Sequence, residues 1–83
     1  MKITVRYFAS IREAIGQGSE AVETAATTLG ALRDALTARG GAHASSLARG
    51  RAVRMALNQT LSDESATLAD GAEVAFFPPV TGG

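Results

Sequence analysis

Hydrophobic and polar positions alternate with period two at the start of the chain. Ile3, Val5 and Tyr7 fall between Lys2, Thr4 and Arg6, the pattern of a strand with one buried face over residues 1–9. Phe8 adds an aromatic ring to the polar side. Ser10 is placed to cap a helical turn over Ile11, Arg12, Glu13, Ala14 and Ile15, which Gly16 would end. Gln17-Gly18 reads as a turn. A weaker strand follows from Ser19 to Glu23, with Ala21 and Val22 as its apolar members. Thr28 then precedes Leu29, Leu32 and Leu36, spaced i, i+3 and i+7 with Ala35 beside them. That spacing predicts a capped amphipathic helix with Arg33 and Arg39 pointing away from the stripe. Gly40-Gly41 supplies its stop, and residues 42–50 read as a loop with at most one helical turn.

Beyond this loop the period returns to two. Val53, Met55 and Leu57 form an inward set, with Arg54 outward. Asn58-Gln59 is a turn, Thr60 and Leu61 a short extension, and residues 62–71 a loop from which Leu68 plugs the core. Asp70-Gly71 is a turn signal. Residues 72–77 make the last strand, with Val74 and Phe76 on one face and Glu73, Ala75 and Phe77 on the other. A hairpin, one main helix and then further strands predict an α+β, two-layer domain. It would be a β-grasp (ubiquitin-like) roll with a mixed sheet of about five strands and the helix on one face. Its expected span is residues 1–77, with 78–83 as an extended tail.

Composition narrows the function. A chain of 83 residues forms one core and leaves little room for the ligand pockets of about 300 Å3 or more that enclose small molecules. A self-contained enzyme is therefore not expected. Formal net charge is zero and no basic run occurs, which disfavours nucleic acid, whose binding rests on neutralising phosphates. There is no cysteine, hence no disulfide framework and no thiolate metal site. Arg6, Arg12 and Glu13 interrupt what would be the apolar stretch of a signal peptide. No apolar run approaches the ~20 residues of a membrane span. A soluble cytoplasmic protein without membrane association is expected.

The candidate chemistry lies in Pro78-Pro79-Val80-Thr81-Gly82-Gly83. Proline has no amide hydrogen to continue a ladder and holds its predecessor extended. Six extended residues reach at most about 20 Å. The two final glycines would let the tail thread a channel too narrow for a Cβ. The reactive group is then the Gly83 α-carboxylate, ionised at neutral pH. A carboxylate is a poor electrophile, so it needs prior activation, for example as an acyl-adenylate, at a nucleotide site on another protein.

From Asp70 through Glu73-Val74-Ala75-Phe76-Phe77-Pro78-Pro79-Val80-Thr81-Gly82-Gly83, the chain resembles the terminal signature of the small, sulfur-carrying subunit of molybdopterin synthase. Asn58-Gln59-Thr60-Leu61 and Tyr7-Phe8-Ala9 with Arg12-Glu13 are similar to that family's earlier segments. Residues 17–51 are only generically alike. The resemblance implies a non-catalytic subunit that binds no cofactor itself. A separate adenylating enzyme of the ubiquitin-activating type would use ATP to adenylate Gly83, and a sulfur donor would replace AMP to leave a thiocarboxylate. The tail, with Gly82 beside the reacting carbonyl, would enter the large subunit and pass sulfur to cyclic pyranopterin monophosphate. Two small and two large subunits would form a heterotetramer. The implied partner interface comprises Phe8, Arg12, Leu61, Phe77, Pro78, Pro79, Val80 and Thr81.

Strand parity agrees for Phe8 and Phe77. Both fall on outward faces, where an aromatic ring gains little unless a partner covers it. Two alternatives keep the fold: a carrier of the thiamine pathway, and a ubiquitin-like modifier with no sulfur role. His43, a lone histidine, reads as a solvated loop residue. Ser45-Ser46 reads as loop chemistry and Asp63-Glu64 as solvated surface.

Overall fold

The computed structural model of the protein describes residues 1–79. The chain runs β1 (Lys2–Tyr7), α1 (Ala9–Ile15), β2 (Ser19–Glu23), α2 (Leu29–Thr37), α3 (Gly41–Leu47), β3 (Arg54–Leu57), β4 (Thr60–Ser62) and β5 (Glu73–Phe77). The five strands form one sheet in the order β2-β1-β5-β3-β4. The first and last strands are central neighbours and run parallel, while every other pair is antiparallel.

The predicted alternation of β1 holds throughout. Ile3, Val5 and Tyr7 are buried and the residues between them are exposed. In β2 the same parity separates the expected pair, since neighbours in a strand face opposite sides. Val22 turns inward together with Glu20, and Ala21 is exposed. Asn58 and Gln59 form a two-residue hairpin loop between paired Leu57 and Thr60, both with positive φ (49° and 69°). Such loops match the twist of the flanking strands only in that conformation.

Thr28 caps α2 as its position predicts, its Oγ1 accepting from the Ala31 N–H at 3.1 Å. Leu29, Leu32 and Leu36 are all fully buried, each contributing about 2 kcal/mol of apolar burial. The free N–H groups of the first turn donate to the loop before β5, Leu29 to the Ala66 oxygen and Gly30 to the Glu64 oxygen. This close approach explains Gly30, where a Cβ would sit 2.9 Å from Glu64 Oε1.

Several expectations are corrected. The first helix starts at Ala9, and its N-cap is Phe8 rather than Ser10, with no side-chain cap. The Phe8 carbonyl accepts the N–H groups of Ile11 and Arg12, so the backbone supplies the acceptor that Ser10 was expected to provide. Residues 41–47 form a helix, not a loop; Leu47 is fully buried and anchors it. Ala35 is exposed. Arg33 does not point to solvent. It is 5% exposed and donates from Nε to Leu47 O (2.6 Å) and from Nη2 to Ala48 O (3.0 Å) and Arg51 O (3.1 Å). A buried guanidinium is stable where its donors are satisfied, and α3 with its exit loop supplies those carbonyls. Glu64 is correspondingly half-buried, pairing with Arg33 at 3.4 Å and with Arg49.

Leu68, the expected plug, is buried with Ala72, Val74 and Phe76 in the core between sheet and helices. Asp70-Gly71 ties the chain back to β1: Asp70 Oδ1 accepts from the Lys2 N–H and the Gly71 N–H donates to Lys2 O. These bonds fix the start of β5, and with it the point where the tail leaves.

Candidate functional site at the root of the tail

The helices cover the face of the sheet that carries Val5, Tyr7, Val74 and Phe76. The opposite face has no covering element among the described residues. Register determines what it presents. Arg6 pairs with Ala75, Ala75 with Ala56, and Ala56 with Leu61. In the next row Phe77 pairs with Arg54, and the Phe8 N–H donates to Phe76 O at 3.1 Å, carrying the β1–β5 pairing one residue beyond Tyr7. One open face therefore gathers Phe77, Ala75, Ala56 and Leu61 from three strands and Phe8 from just beyond β1.

Phe8 is 41% exposed and Leu61 60%. Phe77 and Pro78 are half-buried and Pro79 is exposed. Exposing Phe8 and Leu61 is costly unless something covers them, and a contiguous apolar face rimmed by polar residues is the usual mark of a protein contact. The rim is cationic near the tail. The Arg6 guanidinium carbon lies 5.6 Å from the centre of the Phe8 ring and its Nη1 3.7 Å from Glu73. Arg54 is exposed beside Phe77.

Arg12, exposed on α1 one turn after Phe8, lays its guanidinium against Gly18, where a Cβ would come within 3.2 Å of it. The structure thus brings Phe8, Phe77 and Leu61 onto one surface, while the Arg12 side chain lies against Gly18. Val80, Thr81, Gly82 and Gly83 lie outside the described residues. Ala75 was already placed on the outward face with Phe77, whereas Ala56 went unnoticed, although outward parity with Arg54 on β3 was a usable signal.

A second cluster joins the inner edge of the sheet to the helices. Tyr7 Oη donates to Glu20 Oε2 at 2.6 Å, Arg39 Nη1 donates to Oε1 at 2.7 Å, and His43 Nε2 lies 3.0 Å from Oε2. His43 is therefore not a solvated loop residue. Its side chain is 13% exposed, and its ring meets Tyr7 edge-on at 5.8 Å. The loop reading failed because residues 41–47 are helical and turn this ring towards β2. Burial pushes the Tyr7 hydroxyl well above its ordinary range, reinforced by the carboxylate it serves. Burial also opposes ionisation of Glu20, but hydrogen bonds from Tyr7, Arg39 and His43 outweigh it and hold the carboxyl at about 2. An ionised carboxylate and a neutral phenol locked together at physiological pH make a structural clamp. Among the described residues no cluster of three or more His, Cys, Asp or Glu could hold a metal, and no helix is long and apolar enough to cross a membrane.

The sequence pattern of the ThiS family matches residues 5–83. The chain belongs to the ThiS family. Among its relatives is the molybdopterin synthase sulfur carrier subunit of Escherichia coli (strain K12), 43% identical over 81 residues, covering 98% of this chain and 99% of the relative. Solved structures show the same ubiquitin-like β-grasp architecture. SAMP1 from Haloferax volcanii aligns over 100% of both chains with a TM-score of 0.79 and 26% identity. A chain from the complex of subunits 1 and 2 of the molybdopterin-converting factor of Helicobacter pylori aligns over 100% of both, with a TM-score of 0.70 and 28% identity.

Proposed function

We propose that this protein is the sulfur carrier subunit of a molybdopterin synthase and that its working group is the carboxyl carbon of Gly83. The observation that carries the reading is the full-length likeness to the Escherichia coli carrier, together with a family match that extends through the last glycine. A carboxylate is a poor electrophile and needs a nucleotide site for its activation, which this reading assigns to a second protein. An adenylating enzyme joins the Gly83 carboxylate to AMP, releasing pyrophosphate from ATP. A sulfur donor then displaces AMP, leaving a thiocarboxylate. The tail delivers that sulfur to cyclic pyranopterin monophosphate inside the large subunit, where the catalytic groups reside.

Phe8, Phe77 and Leu61 form the contact with the large subunit, Arg12 flanks it, and Pro78 to Thr81 hold the tail extended into the partner. Residues 1–77 act as the body and 78–83 as the arm, and the assembly is a heterotetramer of two small and two large subunits in the cytoplasm. The chain itself binds no cofactor, since ATP is consumed by the activating enzyme. The decisive experiment incubates the protein with its adenylating enzyme, ATP and a sulfur source, and measures intact mass. The expected product is heavier by the replacement of one oxygen by one sulfur. An unchanged mass under conditions that load the Escherichia coli carrier would reject the proposal.

The likeness to SAMP1, a small archaeal modifier protein in a second Haloferax volcanii structure at 25% identity and a TM-score of 0.77, favours a second reading as a modifier joined to lysines through Gly83. Lysine-linked conjugates in cells that disappear on deletion of Gly82 and Gly83, with molybdenum cofactor production intact, would select it.

A further inference from the structure

The open sheet face lies on one side of the tail root. On the other side, between α1 and the loop after α3, a cleft of about 320 Å3 opens against Pro78. Its walls include Ile11, Ala14, Ser46, Arg51 and Ala52. The lining is mixed, slightly more polar than apolar, with Ser10 and Ser46 beside Ile11 and Ala14, and Arg51 is the one charged group in it. The cleft is open to solvent, so a small molecule would not gain the 70–90% enclosure that ligand sites give.

Arg51 is exposed. No carboxylate among the described residues lies within 4.0 Å of it. Glu13, the carboxylate of α1, is not part of the lining. Yet the backbone that carries Arg51 is held firmly. Its N–H donates to Ala48 O at 3.0 Å, and its own carbonyl accepts from the buried Arg33 guanidinium at 3.1 Å. A cation on an anchored backbone, beside a cleft of mixed polarity and with no carboxylate partner among the described residues, is free to meet an anion from outside.

We infer that this cleft is a second docking pocket at the tail root, and that it receives an acidic side chain from the large subunit. The inference rests on the proposed function and deepens it. A protein that encloses the tail must cover both sides of Pro78, and the two sides differ in chemistry. The sheet side offers aromatic and aliphatic surface. The helix side offers a notch with a positive charge. Occupying both fixes the rotation of the body about the tail as well as its depth of insertion.

The test measures association of the full-length chain with the large subunit from the same source, at about 50 mM and about 500 mM salt, because exposed charge pairs are screened over this range. Arg51→Glu is expected to slow association about tenfold at low salt, with the difference shrinking at high salt, as for a charge that steers docking. Ala14→Glu, which places a carboxylate of this chain in the cleft, is expected to do the same. It lies at an exposed helical position, so it checks the result independently of any effect of Arg51 on folding. Phe77→Ala is expected to weaken binding at both salt concentrations.

Wild-type association rates for both Arg51→Glu and Ala14→Glu at low salt would overturn the inference. So would normal binding of both to the large subunit combined with slow adenylation, or with loss of a self-association shown by the wild type, because the cleft would then serve another occupant. Failure of the wild-type chain to bind any large subunit is a separate outcome, visible without a variant, and overturns the proposed function itself.

Discussion

Replacing Glu20 with Gln tests whether the cluster at the edge of the sheet clamps the fold. The carboxylate receives Tyr7 Oη at 2.6 Å and Arg39 Nη1 at 2.7 Å, with His43 Nε2 at 3.0 Å. These contacts hold it at about 2, against an ordinary value of 4.5. At about 1.4 kcal/mol per pH unit, that displacement would correspond to about 3 kcal/mol in a site closed to water. Arg39 is 47% exposed, so part of the attraction is screened, and about 1.5–2 kcal/mol is the figure to expect.

The direction with pH follows from the depressed value. The folded carboxyl ionises more readily than the unfolded one, so the contribution is fully present above about pH 4.5 and is lost as pH falls towards about 2. Glu20→Gln should therefore lower stability at pH 7 by about 1.5–2 kcal/mol, or about 6–15 °C in Tm for a domain of this size. The gap between wild type and variant should close through that acid window. Urea unfolding at a series of pH values measures both quantities. A variant as stable as wild type at neutral pH, or a gap that persists unchanged down to about pH 2.5, would refute the clamp.

Arg33→Met should cost about 2–4 kcal/mol, because it strips the donor from the buried Leu47 carbonyl and one donor each from the carbonyls of Ala48 and Arg51; urea unfolding measures it, and a loss below about 0.5 kcal/mol would contradict the buried role. Gly30→Ala should destabilise by about 1–2 kcal/mol despite the better helix propensity of alanine, since the new methyl meets Glu64 Oε1 at 2.9 Å and Glu64 Cβ at 3.0 Å; a gain in Tm would show that the loop yields freely. Leu61→Asp should leave stability within about 0.5 kcal/mol while weakening the large-subunit complex at least tenfold, read by titration calorimetry, and unchanged affinity would remove Leu61 from the contact. Gly82→Val should melt with the wild type yet fail to gain sulfur in the mass assay, and normal loading would end the narrow-channel argument.

What the chain spells out locally came through in the fold. The alternation of Ile3, Val5 and Tyr7, the Thr28 cap, the leucine stripe of α2, the Asn58-Gln59 turn and the strand of Val74 and Phe76 each depend on near neighbours in sequence. Strand period and capping geometry are properties of a few adjacent residues, so a sequence can carry them openly. The outward parity of Phe8 and Phe77 was legible for the same reason, and the terminal block carried the family likeness.

Contacts between distant segments are written nowhere in the local pattern. Arg33 has the helix spacing of a solvated residue, and only the carbonyls of Leu47, Ala48 and Arg51, brought up by α3 and its exit loop, make its burial favourable. His43 became part of a buried cluster because α3 faces β2 across Tyr7. The open apolar face exists because parallel β1–β5 pairing and the β3–β4 hairpin set four strands in one register, and the cleft at Pro78 because α1 and the loop after α3 end beside it. Period and caps are decided within a turn or two of chain. The fate of a charge is decided by whichever remote backbone arrives to solvate it.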